Sequence, residues 1–300
     1  MARSISARKV VTISFLVDVL DVVTNLVVAL ITGSAVVFSE MVQGVADSIG
    51  SGLLVIGERR AIRPRDDRHP LGYAREAFFW GLLSSVSMLV IGAGLSAWRG
   101  LQQLLHPEPL QASIFAVAVL ALAVITNGYA VSLSARKLAT EHGGLFGIFD
   151  DYSQPLVKSA FLRDVIGTIT SIVGLVALLL YEILDLLIFD AIGAIVAALL
   201  MAVGSLVLMA HARALITGRA LPEEDLQRLR EVILADPEIE AINYLAAIYA
   251  GASEVLIDAD LDLSESLDTK EIEELLDSLE SRVKAATPGI VQVRVQLNSQ

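Results

Sequence analysis

A chain of 300 residues that is 55% hydrophobic, lacks cysteine and carries a formal charge of −12 excludes several classes at once. Disulfide scaffolds and thiolate metal sites need cysteine, and nucleic-acid binding needs basic patches that this acidic balance argues against. Several apolar runs approach the roughly 20 residues that cross a bilayer as helix, so the chain reads as a polytopic α-helical membrane protein.

Six transmembrane helices are predicted, near Val11 to Ile31, Val36 to Gly57, Phe78 to Trp98, Ser113 to Ser134, Leu156 to Leu180 and Leu186 to Ala210. The first follows Arg3, Arg8 and Lys9. Its length, its two aspartates and its lack of a small-residue cleavage site predict a retained helix rather than a signal peptide. The link between the second and third spans holds Arg59, Arg60, Arg63, Arg65, Arg68 and Arg75, and the link after the fourth opens with Arg136 and Lys137. The links on the other side hold only Arg99. Basic residues accumulate on the cytoplasmic side, so both termini are expected inside, with a prokaryotic plasma membrane as the location.

From about residue 213 the character changes. Residues 218–300 carry 18 acidic and 7 basic side chains, which predicts a transmembrane domain over 1–212 and a cytoplasmic domain over 213–300. Pro222-Glu223-Glu224-Asp225 opens a helix to about Ala235, with acids in the first turn where the helix dipole favours them. Strands over Ile239 to Tyr249 and Glu254 to Leu263, a helix from Thr269 to about Ala286 and a strand over Ile290 to Leu297 complete an α-β-β-α-β order. That order suggests a small ferredoxin-like α+β domain with its helices on one sheet face. A unit of this size gains from a partner surface, so it is expected to dimerise. Asp258, Asp260 and Asp262 alternate with apolar residues and share one strand face, which reads as a solvated face, with a divalent-ion row or a face that repels a dimer mate as the alternatives.

Carboxylates stand where a bilayer should forbid them. A charge at the bilayer centre costs about 2.5–3.5 kcal/mol even on the mildest scale, so each is a functional-site hypothesis. In the first span Asp18, Asp21 and Asn25 fall on one helical stripe, and in the second Glu40, Gln43 and Asp47 do the same. Glu40 sits nearer the outer face and reads as wet or functional in equal measure. Asp47 in the second span and Asp164 in the fifth are the principal candidates. Arg163, next to Asp164, either neutralises an acid or gates a path. Asn127 reads as interhelical glue. No two histidines have ligand spacing. No nucleophile–base pair, phosphate-binding glycine loop or cofactor motif is present, which argues against an enzyme.

The six spans and acidic tail, Thr32-Gly33-Ser34, the loop Arg63-Pro64-Arg65-Asp66-Asp67-Arg68-His69-Pro70-Leu71-Gly72-Tyr73 and Leu105-His106-Pro107-Glu108-Pro109-Leu110 together resemble the cation diffusion facilitator family. Gly72-Tyr73-Ala74-Arg75-Glu76-Ala77-Phe78-Phe79-Trp80 is most similar to its mitochondrial-type zinc transporter branch. The resemblance implies proton-coupled export of a divalent cation by a homodimer working by alternating access. The family's site pairs a His or Asp with an Asp four residues later on the second and fifth spans. Here those positions read Gln43 and Asp47, then Ala160 and Asp164. In the tail, Asp260, Arg294 and Gln296 stand where the family often has ligands.

An all-oxygen set of Asp47, Asp164 and Gln43, with Asp18 or Asp21 replacing lost ligands, suits Mn²⁺ or ferrous iron better than Zn²⁺, which favours nitrogen and sulfur. The cation would be transported substrate, and no cofactor is implied. A buried aspartate that releases its proton as the ion arrives would couple the two gradients. The alternatives are a transporter on the same scaffold with a changed substrate, and a non-transporting sensor or scaffold that works through its tail.

Overall fold

The computed structural model describes residues 21–111, 113–142, 155–251, 254–264, 266–287 and 289–297. The first-span helix, α1, is described from Asp21 to Thr32. It is followed by α2 (Ala35–Ala61), α3 (Glu76–Leu105), α4 (Ser113–His142), α5 (Pro155–Leu184) and α6 (Ile188–Ile216). Among the described residues, four helices are long and apolar enough to cross a membrane: α3, α4 up to Ser132, α5 from Phe161, and α6. Helix α2 has the length at 27 residues. Its apolar content is diluted by Ser39, Glu40, Gln43, Asp47, Ser48 and Ser51, the stripe that makes it interesting.

The chain forms two compact units. One gathers α1 and the membrane-length helices, trimmed at residues 56, 80 and 211. Its interior relies on small residues. Ala29, Ala35, Ala116, Ala177 and Ala194 are buried with Val36, Leu120 and Leu178, and Met88, Ala93, Ile166, Ala197 and Met201 form a second cluster. Small side chains let backbones approach closely where lipid supplies no hydrophobic drive. A Cβ on Gly193 would lie 2.6 Å from the Cβ of Ala177 and 2.7 Å from Val36 Cγ2, so α2, α5 and α6 meet at that glycine. Helix α3 contains one π-helical stretch, Met88–Ala93.

The turn between α1 and α2 is fastened by an acid that the sequence reading did not single out. Asp190, fully buried in the first turn of α6, accepts from Ser34 Oγ at 2.6 Å and from the backbone N–H groups of Ala35 at 2.7 Å and Val36 at 3.2 Å. It therefore caps α2 from another helix, satisfying donors that a helix start leaves free. Arg99 donates to the carbonyl of Gly33 at 2.8 Å, and Gly33 adopts φ +72°.

The second unit holds residues 57–79 with the tail. The tail elements are α7 (Glu223–Leu234), β1 (Ile239–Tyr249), β2 (Val255–Leu263), α8 (Thr269–Ala286) and β3 (Ile290–Leu297). The sheet order is β1-β2-β3, with β1 antiparallel and β3 parallel to β2, so α8 serves as the crossover. In β2, Val255, Ile257, Ala259 and Leu261 are buried and Asp258, Asp260 and Asp262 are half-buried on the other face. Leu229 and Ile233 of α7 and Leu275, Leu279 and Val283 of α8 cover the apolar face. A capping box starts α8: Asp268 Oδ1 accepts from the N–H of Glu271 at 2.9 Å, and Glu271 Oε2 accepts from the N–H of Asp268 at 2.8 Å. Phe78, the first residue of the predicted third span, lies 2% exposed in this same core.

Candidate functional site

Helices α1, α2, α4 and α5 enclose a cavity of about 170 Å³ lined by Asp21, Glu40, Gln43, Asp47, Asn127, Arg163 and Asp164, among others. One water needs only about 10–15 Å³ of such space, so a cation keeping part of its hydration shell would fit. Four of the five sequence-derived candidates meet here: Asp21, Gln43, Asp47 and Asp164. The fifth, Asp18, lies outside the described residues, and so does the side chain of Ala160. Asp21 reaches the cavity because α1 lies against α2: a Cβ on Gly44 would stand 2.7 Å from Val22 Cγ2.

Arg163 dominates the α2 wall. It is 8% exposed, and its Nε lies 3.1 Å from Asp47 Oδ1. Nη2 donates to the Asp47 carbonyl at 3.0 Å and to Ser51 Oγ at 2.9 Å, and Nη1 donates to Ser84 Oγ at 3.0 Å. The fixed fork of a guanidinium is thus received by α2 and α3 together. Gly50 leaves it room, since a Cβ there would come within 2.8 Å of Arg163 Nη1. Asp164, the next residue, lines the cavity and is half-buried. Adjacent residues point about 100° apart on a helix, which lets one line the cavity wall while its neighbour spans two helices.

Opposite this clamp the acid is held by neutral groups. Glu40, a borderline wet residue on sequence, is 6% exposed and accepts from Ser171 Oγ at 2.5 Å and Asn127 Nδ2 at 3.2 Å. Asn127 also donates to Ser171 Oγ at 2.9 Å, so it does join helices as glue. Gln43 accepts from Thr170 Oγ1 at 2.7 Å, and Gly167 allows the close passage, its missing Cβ being 2.8 Å from Gln43 Nε2. Ser84, Thr170 and Ser171 were not legible as site residues, because a lone hydroxyl in a span is usually local. Their signal appears only when helix faces are paired.

Among the described residues, no three carboxylate or imidazole groups converge closely enough to hold an ion. The cavity is therefore wider than a closed coordination shell, with carboxylate and amide side chains and the Arg163 guanidinium on its wall. In the tail, Asp258 pairs in register with Arg294 and Asp260 with Gln296, and Asp262 accepts from Asn243 Nδ2 at 2.9 Å.

A family model described as the cation efflux transmembrane domain matches residues 11–216, and one described as the cation efflux protein cytoplasmic domain matches residues 221–300. Among curated relatives, the mitochondrial proton-coupled zinc antiporter SLC30A9 of Mus musculus is 27% identical over 259 residues, which is 85% of this chain and 46% of that protein. Its Xenopus laevis counterpart is 29% identical over the same extent. This chain spans about half the length of these antiporters. The cation-efflux pump FieF of Shewanella oneidensis is 25% identical over 257 residues, with 86% of this chain and 82% of the pump covered.

Proposed function

This chain belongs to the cation efflux family, and on that premise we propose that it is a secondary transporter, not an enzyme, that moves a divalent metal cation out of the cytoplasm by alternating access against a proton flow. The observation that carries the reading is the cavity among α1, α2, α4 and α5 that gathers Asp21, Gln43, Asp47 and Asp164. Ionisable groups inside a membrane mark ion paths because their cost is otherwise uncompensated.

In this mechanism the ion enters partly hydrated and exchanges water for Asp47, Asp164 and Gln43, with Asp21 and Asp18 completing the set as α1 closes on α2. Lining carboxyl groups other than Asp47, which Arg163 neutralises, hold protons when no cation is bound and release them as the cation binds, which exchanges one gradient for the other. The relatives named as zinc antiporters make Zn²⁺ a substrate to test, and the carboxylate-rich lining adds Mn²⁺ and Fe²⁺. Both termini lie in the cytoplasm, and the tail joins two copies into a homodimer.

The test is uptake of Zn²⁺, Mn²⁺ and Fe²⁺ into proteoliposomes under a pH gradient, with Asp47→Ala and Asp164→Ala alongside. Saturable flux of one ion, lost in both variants while each remains folded, supports the reading. A second reading rests on the Arg163–Asp47 pair, which satisfies part of the cavity's charge from within. On it the scaffold transports a different substrate, and none of the three ions moves.

A further inference from the structure

The second compact unit contains a pocket that the transport reading leaves unused. It encloses about 250 Å³ between the loop that joins α2 to α3 and the tail sheet. Arg65, Arg68 and Arg75 line it above an apolar floor of Leu71, Leu256 and Val291, and no carboxylate is among its lining residues. All three arginines are exposed, and none makes an ion pair with a described residue. His69, by contrast, lies 3.5 Å from Asp66 and stacks on Tyr73.

The arginines project from an ordered turn. Asp66 accepts from the N–H of Arg68 at 3.0 Å, the N–H of His69 at 2.7 Å and the hydroxyl of Tyr73 at 2.7 Å. Gly72 supplies φ +85°, a conformation that L side chains resist. The loop is also seated tightly on the sheet: a Cβ on Gly251 would stand 2.5 Å from that of Ala74. Such a setting holds several guanidinium forks around one volume, an arrangement suited to phosphate and repellent to a metal cation. The loop joins α2 directly to α3, and Arg75 immediately precedes the first residue of α3, one of the helices long and apolar enough to cross a membrane.

We propose that this pocket binds phosphate, and that its occupant is the headgroup of an anionic phospholipid. Basic side chains clustered next to a transmembrane helix on its cytoplasmic side recognise such headgroups, and this site rests on the orientation proposed above. Leu71, at 46% exposure, and Val291, at 37%, offer the apolar contact that a glycerol backbone would use and free phosphate would not.

The experiment titrates the full chain in neutral detergent with dioctanoyl phosphatidic acid, dioctanoyl phosphatidylcholine and inorganic phosphate. Three proteins are compared: native, Arg65→Gln/Arg68→Gln/Arg75→Gln, and the charge-matched control Arg63→Gln/Arg228→Gln/Arg230→Gln. Native protein is expected to bind phosphatidic acid saturably, and the pocket variant to bind it about tenfold or more weakly, with the control within about twofold of native. Equal binding of inorganic phosphate upholds the phosphate site and removes the lipid as its source. Equal losses in both triple variants, or no binding of phosphatidic acid or phosphate by native protein, overturn the proposal. Should the pocket variant fail to fold, Val291→Glu sets a carboxylate on the floor and must weaken phosphatidic acid binding to a similar degree.

Discussion

Arg163 concentrates the residue-scale physics. Removing one partner of an ion pair in a low-dielectric setting leaves the other uncompensated, at about 3–5 kcal/mol for fully buried pairs. Asp47 keeps 31% side-chain exposure, so solvent reduces the cost. Arg163→Gln is therefore expected to destabilise the membrane unit by about 1–3 kcal/mol, and Arg163→Gln/Asp47→Asn to recover part of that loss. Thermal unfolding of the purified variants measures both, and equal stability of native and single variant would show the pair to be inert. At this scale the acids were readable from sequence because a charge in an apolar run announces itself. The partners were not. Nothing in Ser84, Ser51 or Asp47 singly says that one guanidinium joins them, since that requires three helix faces in known register.

The helices that carry these residues pack through glycine and alanine, and element-scale consequences follow. Gly193→Ala sets a methyl against Ala177 and Val36 with less than 3 Å of room, and such overpacking costs about 1–3 kcal/mol. Gly52→Ala in α2 meets nothing within 4 Å, and replacing an exposed helical glycine with alanine favours the helix by up to about 1 kcal/mol. Melting curves should move down for the first and level or up for the second. The tail elements were legible almost residue for residue, because strand alternation and helical periodicity are local signals. Asp190 was overlooked for the opposite reason: the helix start that it caps lies some 155 residues earlier in the chain.

Orientation belongs to the whole molecule. The chain contains no cysteine, so a single introduced thiol reports its own side of the membrane. Gln111→Cys, between α3 and α4, should react with an impermeant maleimide on intact cells, and Ser281→Cys, exposed on α8, only after permeabilisation. The reverse pattern would invert the assignment drawn from the arginine-rich links. Those links were readable by counting charges. The seating of the link between α2 and α3 on the tail was not, because Gly251 and Ala74 meet across 177 positions of sequence.

The burial of Phe78 in the tail's core changes what a genetic dissection of this protein would produce. A tail expressed from residue 217 onward would be an incomplete fold, lacking an aromatic ring that the chain contributes some 140 residues upstream. It would resemble half of a split reporter, and its solubility or dimerisation would describe a fragment. The segment 57–79 supplies the missing piece of that interior and carries the arginines.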